Sequence, residues 1–228
     1  MTPTLLATLL VDLVILLLIV LIRRRLSLVP GTLQAAFESV VGFLKDTTEQ
    51  VAGSRADRIF PWVGIFFLYV ALSNLIGLIP GFGTLGFHRG SEFVPLFHVS
   101  TSDLNLTLAL AVVSVVATNV LAIRTTGLKT YLKRFFALNP LFLFVGLLEI
   151  LQEVTKFITF SFRLYGNISA GEMVLGTLST LAAFVVPVPF LALEILVAVI
   201  QGVVFALLTM AFMTIMTESH STKEEEHR

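Results

Sequence analysis

Arg163 sits inside an apolar run, Phe160-Ser161-Phe162-Arg163-Leu164-Tyr165-Gly166-Asn167. At membrane depth a permanent charge costs at least ~2.5–3.5 kcal/mol on insertion scales. A guanidinium keeps its proton across the physiological range, so the chain cannot escape that cost by neutralising it. A charge kept at such expense marks an ion or proton path by default. The bland alternative is a helix-end arginine that reaches to the headgroups. Apolar and small residues continue for more than a turn on both sides of Arg163 and weigh against it.

The polar residues near it are spaced for the same chemistry. Asn167 follows Arg163 by four residues and shares its helical face. Gly166 and Ala170 lie on or beside that face, and small residues let another helix approach closely. Arg163 is therefore expected to face a partner helix. Glu172 comes nine residues on, about half a turn away in angle. Glu149 lies within about 40° of the Arg163 face, some four turns earlier, with Glu153 and Lys156 between. In the next apolar segment Glu194 and Gln201 are seven apart, which puts them on one face about 10 Å apart along the axis. One group (Glu149, Glu153) leads from Arg163 toward one membrane surface, and another (Asn167, Glu172, Glu194, Gln201) toward the other. Carboxylates at membrane depth can relay protons, and a fixed cation between two such groups would stop protons running straight through. Singly, each acid also suits a structural hydrogen bond or ion pair, and Lys156 can neutralise Glu149 and Glu153.

The elements that must position these residues are membrane helices. Hydrophobic residues are 56% of the 228-residue chain, charged residues 13%, and the mean hydropathy is +0.95. Soluble domains carry roughly 25% charge. Net charge is zero and the basic residues are scattered, which points away from nucleic acid. With no cysteine, disulfides, thiolate metal sites and cysteine nucleophiles are excluded. We expect an all-α polytopic membrane protein forming a single integral domain over 1–228. Five apolar spans fall at 5–22, 59–79, 104–123, 141–186 and 190–217. The fourth, 46 residues between Pro140 and Pro187, would be roughly 69 Å long as a helix, too long to stand upright in a core of about 30 Å. The last two spans are therefore expected to form a long tilted hairpin, with Pro187 and Pro189 in the tight connection.

Basic residues orient the spans. Six lie between spans one and two (Arg23, Arg24, Arg25, Lys45, Arg55, Arg58), four between three and four (Arg124, Lys129, Lys133, Arg134), and only Arg89 between two and three. The positive-inside rule then puts the N-terminus outside and the C-terminus in the cytoplasm. In the first span the charges follow the apolar region, unlike a cleavable signal peptide. Over 32–51, Leu33, Ala36, Phe37, Val40, Val41 and Leu44 recur at helical spacing after Pro30-Gly31, with Thr32 a candidate N-cap. This predicts an amphipathic helix on the cytoplasmic surface, or else one packed on a soluble partner. The acidic tail 218–228 is expected to be disordered.

The block Arg163-Leu164-Tyr165-Gly166-Asn167-Ile168-Ser169-Ala170-Gly171-Glu172 closely resembles the signature of subunit a of the F-type rotary ATP synthase. Asn74-Leu75-Ile76-Gly77-Leu78-Ile79-Pro80 resembles that family's exit from its second span. Ser102-Asp103-Leu104-Asn105-Leu106-Thr107-Leu108-Ala109 resembles its entry to the third. Pro140 with Glu149, and Glu194 with Gln201, are similar to positions on its two last helices. Tyr165 departs from the usual Phe, and Glu194 stands where some members have His. The likeness spans nearly the whole chain from about residue 59.

The resemblance implies a stator proton-channel subunit with two offset half-channels that load and unload protons on carboxylates of a c-subunit ring. Arg163 would face that ring. Asn167, Glu172, Glu194, Gln201 and Asp103 would line the outer half-channel, and Glu149 and Glu153 the cytoplasmic one. The implied partners are the c-ring, the b-subunit peripheral stalk, the rest of the synthase and the lipid bilayer, with no nucleic acid. No cofactor or metal is implied, and no Gly-rich phosphate loop for nucleotide is present. Without an organelle transit peptide, a bacterial plasma membrane is the expected location. The main alternative is an independent channel or secondary transporter with its own complete path. An intramembrane protease is disfavoured, because His88, His98, His220 and His227 all fall in the outer loop or tail.

Overall fold

In a computed structural model of the chain, the described residues are 3–25, 31–79, 86–89, 92–95, 100–128, 131, 140–181 and 187–217. They form six α-helices: α1 (Pro3–Arg25), α2 (Thr32–Ala52), α3 (Ala56–Gly77), α4 (Leu104–Thr126), α5 (Pro140–Leu181) and α6 (Pro187–Thr217). Four helical stretches are long and apolar enough to cross a membrane. They are α1, α4, α6, and the stretch that runs from α2 through α3. α5 is not among them; Glu149, Glu153, Lys156, Arg163 and Glu172 dilute its apolar character.

α5 runs for 42 residues without a break, or about 63 Å. It is therefore roughly twice as long as a hydrocarbon core is thick. α6 has 31 residues. Pro187 and Pro189 were expected in the connection between the two helices. They instead open α6, where a missing N–H costs nothing and the fixed φ suits the first turn. Residues 182–186, expected as the end of the fourth span, the basic residues Lys129, Lys133 and Arg134, and the tail 218–228 lie outside the described residues.

A short antiparallel hairpin was not foreseen. It comprises β1 (Gly86–Arg89) and β2 (Glu92–Pro95), paired from Gly86↔Pro95 to Arg89↔Glu92. Its sequence signal is the dipeptide Gly90-Ser91, which suits a two-residue loop.

The core is built on α3 and α6, which pack along each other. Gly202 makes the approach possible: a Cβ there would lie 2.8 Å from Ala71 Cβ. A ladder of rings runs through this interface: Trp62 stacks on Phe66, Phe66 meets Phe205 at 5.6 Å, and Phe205 meets Phe160 of α5 at 4.8 Å. Ser114 of α4 and Thr209 of α6 share a buried hydroxyl–hydroxyl hydrogen bond of 3.0 Å. α5 is held by α4, by α6 and by a 3-10 turn at Ser100–Ser102.

α2 starts at Thr32 with Gly31, not Thr32, as its N-cap; Gly31 has extended backbone and makes no side-chain bond. Gly53 at φ 55 turns the chain after α2, a conformation that favours glycine. The face of α2 that is covered carries Phe37, Val41, Leu44, Thr48 and Ala52, against α3 and α6. Phe37 shares a small apolar cleft with Leu68 and Leu72 of α3 and Ile15 to Ile22 of α1. Ala36 and Val40, expected in the same stripe, are exposed. The amphipathic face is thus partly buried by the chain's own helices.

Candidate ion-path site

Two separate environments flank the α5–α6 hairpin. The first is a polar cleft between the C-terminal half of α5, the facing part of α6 and the end of α3. Asn74, Asn167, Glu172, Glu194 and Gln201 all line it. Gln201 is buried, and its side-chain oxygen accepts a 2.8 Å hydrogen bond from the Asn167 amide. The Gln201 amide nitrogen is buried with no partner, and so are both polar atoms of the Asn74 side chain. A buried amide left unsatisfied costs roughly 1–3 kcal/mol, a large sum for one cleft to carry. The cleft has about 30 Å³ of room, where a single water needs roughly 10–15 Å³. It is therefore a polar chamber sized for a water or two, fringed by two carboxylates.

Glu194 reaches this chamber because of Gly171. The glycine is buried on α5, and a Cβ on it would run into the Glu194 carboxyl. The signature Ala-Gly-Glu of α5 thus places a gap and a carboxylate side by side, and α6 fills the gap with a second carboxylate.

The second environment is the open face of α5. Arg163 is exposed there, among exposed Ile158, Phe162, Gly166 and Ala170. Among the described residues Arg163 forms no ion pair or hydrogen bond. Gly166 has open space around it, so none of the described residues fills the groove beside the guanidinium.

Toward the start of α5, Lys156 is 5% exposed and its ammonium lies 2.7 Å from Glu153 Oε1. The same ammonium sits 4.4 Å from the centroid of the Phe212 ring of α6. Glu149 is half-buried one turn before Glu153. Asp103 is placed elsewhere. It caps α4, with its carboxylate accepting 2.9 Å and 3.0 Å hydrogen bonds from the backbone and side chain of Asn105, and it does not line the cleft.

The structure thus joins Asn167, Glu172, Glu194 and Gln201, pairs Glu153 with Lys156, and leaves Arg163 on a different surface. Reading the residues alone gave Asn74 no role in the site. Its signal was a lone amide in the apolar run 59–79, and only the packing of α3 against α6 shows which way it faces. Phe212 had no signal at all, being one of 20 phenylalanines.

A multi-helix membrane chain with an exposed arginine on an apolar helix face, unpaired among the described residues, and an internal carboxylate-lined chamber belongs to the class of ion-handling membrane proteins. The family model described as "ATP synthase A chain" matches residues 5–214. Over 209 residues the chain is 34% identical to "ATP synthase subunit a 1" of Hahella chejuensis, covering 92% of this chain and 81% of that one. It is 35% identical over 202 residues to "ATP synthase subunit a 3" of Pelobacter propionicus, covering 87% and 80%. "ATP synthase subunit a" of Geobacter sp. (strain M21) is 35% identical over 193 residues, covering 83% and 76%. The chain belongs to the ATP synthase subunit a family.

Proposed function

We propose that this chain is the stator subunit of a bacterial rotary ATP synthase, with two offset half-channels that pass protons to and from ring carboxylates on another subunit. α1, α3, α4, α5 and α6 lie in the membrane, with α2 at the cytoplasmic surface, the N-terminus outside and the C-terminus inside. A proton enters through the chamber of Glu194, Glu172, Asn74, Gln201 and Asn167 and protonates a ring carboxylate. The ring turns almost full circle, and the carboxylate then meets Arg163. Attraction to the guanidinium favours the ionised carboxylate in a medium of low dielectric. The released proton leaves past Glu149 and Glu153. Each proton crossing 100 mV releases about 2.3 kcal/mol, so several are needed per ATP.

The observation that carries this reading is the exposure of Arg163 without a partner among the described residues. A guanidinium on an apolar face at membrane depth requires an anion, and the groove at Gly166 and Ala170 admits a helix that could bring one. An independent channel would enclose its arginine within the chain, and Arg163 lies open on the surface.

Arg163→Ala tests the reading in inverted membrane vesicles holding the assembled complex. Proton-driven ATP synthesis should be lost and passive proton leak should rise. Arg163→Lys should also fail, since a compact, strongly hydrated ammonium cannot reproduce a planar fork. Near-normal synthesis by either variant refutes the reading.

A further inference from the structure

Lys156 is a full charge placed 95% out of water, seven residues from Arg163 on the same long helix. The proposed proton path gives it no task. Three contacts hold it. Its ammonium bonds Glu153 Oε1 at 2.7 Å, it lies over the Phe212 ring at 4.4 Å, and its stem is enclosed between α5 and α6. Phe212 is itself fixed edge-on by Phe160 at 5.8 Å. The ammonium therefore has a carboxylate on its own helix and an aromatic face on the next. One of its three protons has a defined acceptor, the ring face lies against the ammonium, and it has little room to move.

The carboxylate is held asymmetrically. Glu153 Oε1 is taken by Lys156, while Oε2 is buried and has no hydrogen-bond partner. A carboxylate that cycles protons must exist part of the time as the neutral acid. Here the neutral acid would strand a buried ammonium with only a ring for company, and a buried charge stripped of its partner is strongly destabilising. The spare oxygen of Glu153 stays available to accept a hydrogen bond.

We infer that Lys156 and Glu153 form a fixed ion pair that positions exit water through Glu153 Oε2, so that Glu149 alone exchanges protons on the cytoplasmic side. The inference rests on the proposed half-channel reading and revises it: Glu153 is a positioning residue there, not a carrier. Phe212 belongs to the same device as the wall that fixes the ammonium.

The experiment measures passive and ATP-driven proton flux in inverted vesicles holding the complete complex, normalised to assembled complex by immunoblot. Glu153→Gln and Lys156→Gln each leave one buried charge unmatched, and each should lower flux by roughly tenfold or more. The double variant Glu153→Gln with Lys156→Gln restores neutrality and should return to within about threefold of the parent. The exchange Glu153→Lys with Lys156→Glu keeps a pair but removes the acceptor oxygen at position 153, and it should stay as slow as Glu153→Gln; the neutral double variant serves as the arbiter if a single variant fails to assemble. Glu149→Gln should lose flux and should not be rescued by Lys156→Gln. A neutral double variant as slow as Glu153→Gln overturns the inference, because a carrier cannot be replaced by neutrality, and so does an exchanged variant that conducts at the parent rate. So does a Glu153→Gln variant that assembles and conducts normally. Arg163→Ala measured in the same vesicles tests the underlying half-channel reading separately.

Discussion

Gly171→Ala makes the sharpest test of the chamber. α5 is regular through Gly171, and positive φ among glycines is confined to Gly53 and Gly127 among the described residues. The backbone therefore accepts alanine, and helix propensity alone would favour it by about 0.8–1.0 kcal/mol. The added methyl, however, would overlap the Glu194 carboxyl. The side chain of Glu194 is flexible and can swing aside, so the overlap is relieved by displacing the carboxylate by about an ångström, the difference between overlap and ordinary contact. Stability should change by less than about 1 kcal/mol, the propensity gain offsetting an off-rotamer cost of order 0.5–1.5 kcal/mol. Function should not be so tolerant: a misplacement of about 1 Å at a reacting group can cost 10²-fold. Proton-driven ATP synthesis in vesicles should fall by roughly ten- to hundredfold while the complex assembles at parent levels. Adding Glu194→Asp, which shortens the side chain and withdraws it from the new methyl, should recover part of the loss. If Gly171→Ala alone supports synthesis within twofold of the parent, Glu194 does not depend on the gap at Gly171, and its place in the chamber has no functional meaning.

Three further predictions follow from other parts of the molecule. Asn74→Leu removes two buried polar atoms that have no partner, so the thermal midpoint of the complex should hold or rise while proton flux drops by roughly tenfold; a loss of stability would show that Asn74 is structurally satisfied. Thr209→Val breaks the buried Ser114 hydrogen bond and should cost about 0.5–1.5 kcal/mol with flux unchanged per assembled complex, a control whose failure would mean that the α4–α6 contact is itself on the path. A cysteine at Arg89 should react with an impermeant thiol reagent from outside and one at Lys129 from the cytoplasm; the reverse pattern would exchange the two half-channels.

The elements were legible wherever apolar length and punctuation agree. The helices from residues 3, 56 and 104 follow from long apolar runs, and α5, though diluted by charge, stays whole for 42 residues with no proline after its first position. Prolines misled at the other end, since Pro187 and Pro189 read equally as a connection or as a first helical turn. Only the neighbouring packing decides between those. The amphipathic stripe of α2 was legible as a period but not in its angle, because Val40 and Val41 are equally apolar and the covering helices choose between them. The hairpin between Gly86 and Pro95 was hidden by its shortness. In the site, charged residues announced themselves because charge at membrane depth is expensive. Asn74 and Phe212 did not, because an amide or a ring in an apolar helix acquires its meaning from what packs against it.

The same reasoning explains why one hairpin can hold a cation and an acid chamber without short-circuiting them. Arg163 and Glu172 are nine residues apart, which places them about half a turn round the helix and some 13 Å along it. The side of α5 between them is filled by Leu164 and Gly171, both buried against the neighbouring helices. Two such carboxylates and a guanidinium on one face would pair with each other and leave no charge to act on a partner. The spacing prevents that by interposing a packed wall. Asn167 is the residue that spans both sides. It lies one turn after Arg163 and is exposed, yet its amide reaches into the chamber and donates to Gln201 at 2.8 Å. It can therefore carry polar continuity round the edge of the wall without carrying a titrating group. On the proposed reading a proton handed on there leaves for an acceptor outside this chain, because the guanidinium one turn away on the open face has no lone pair to receive it.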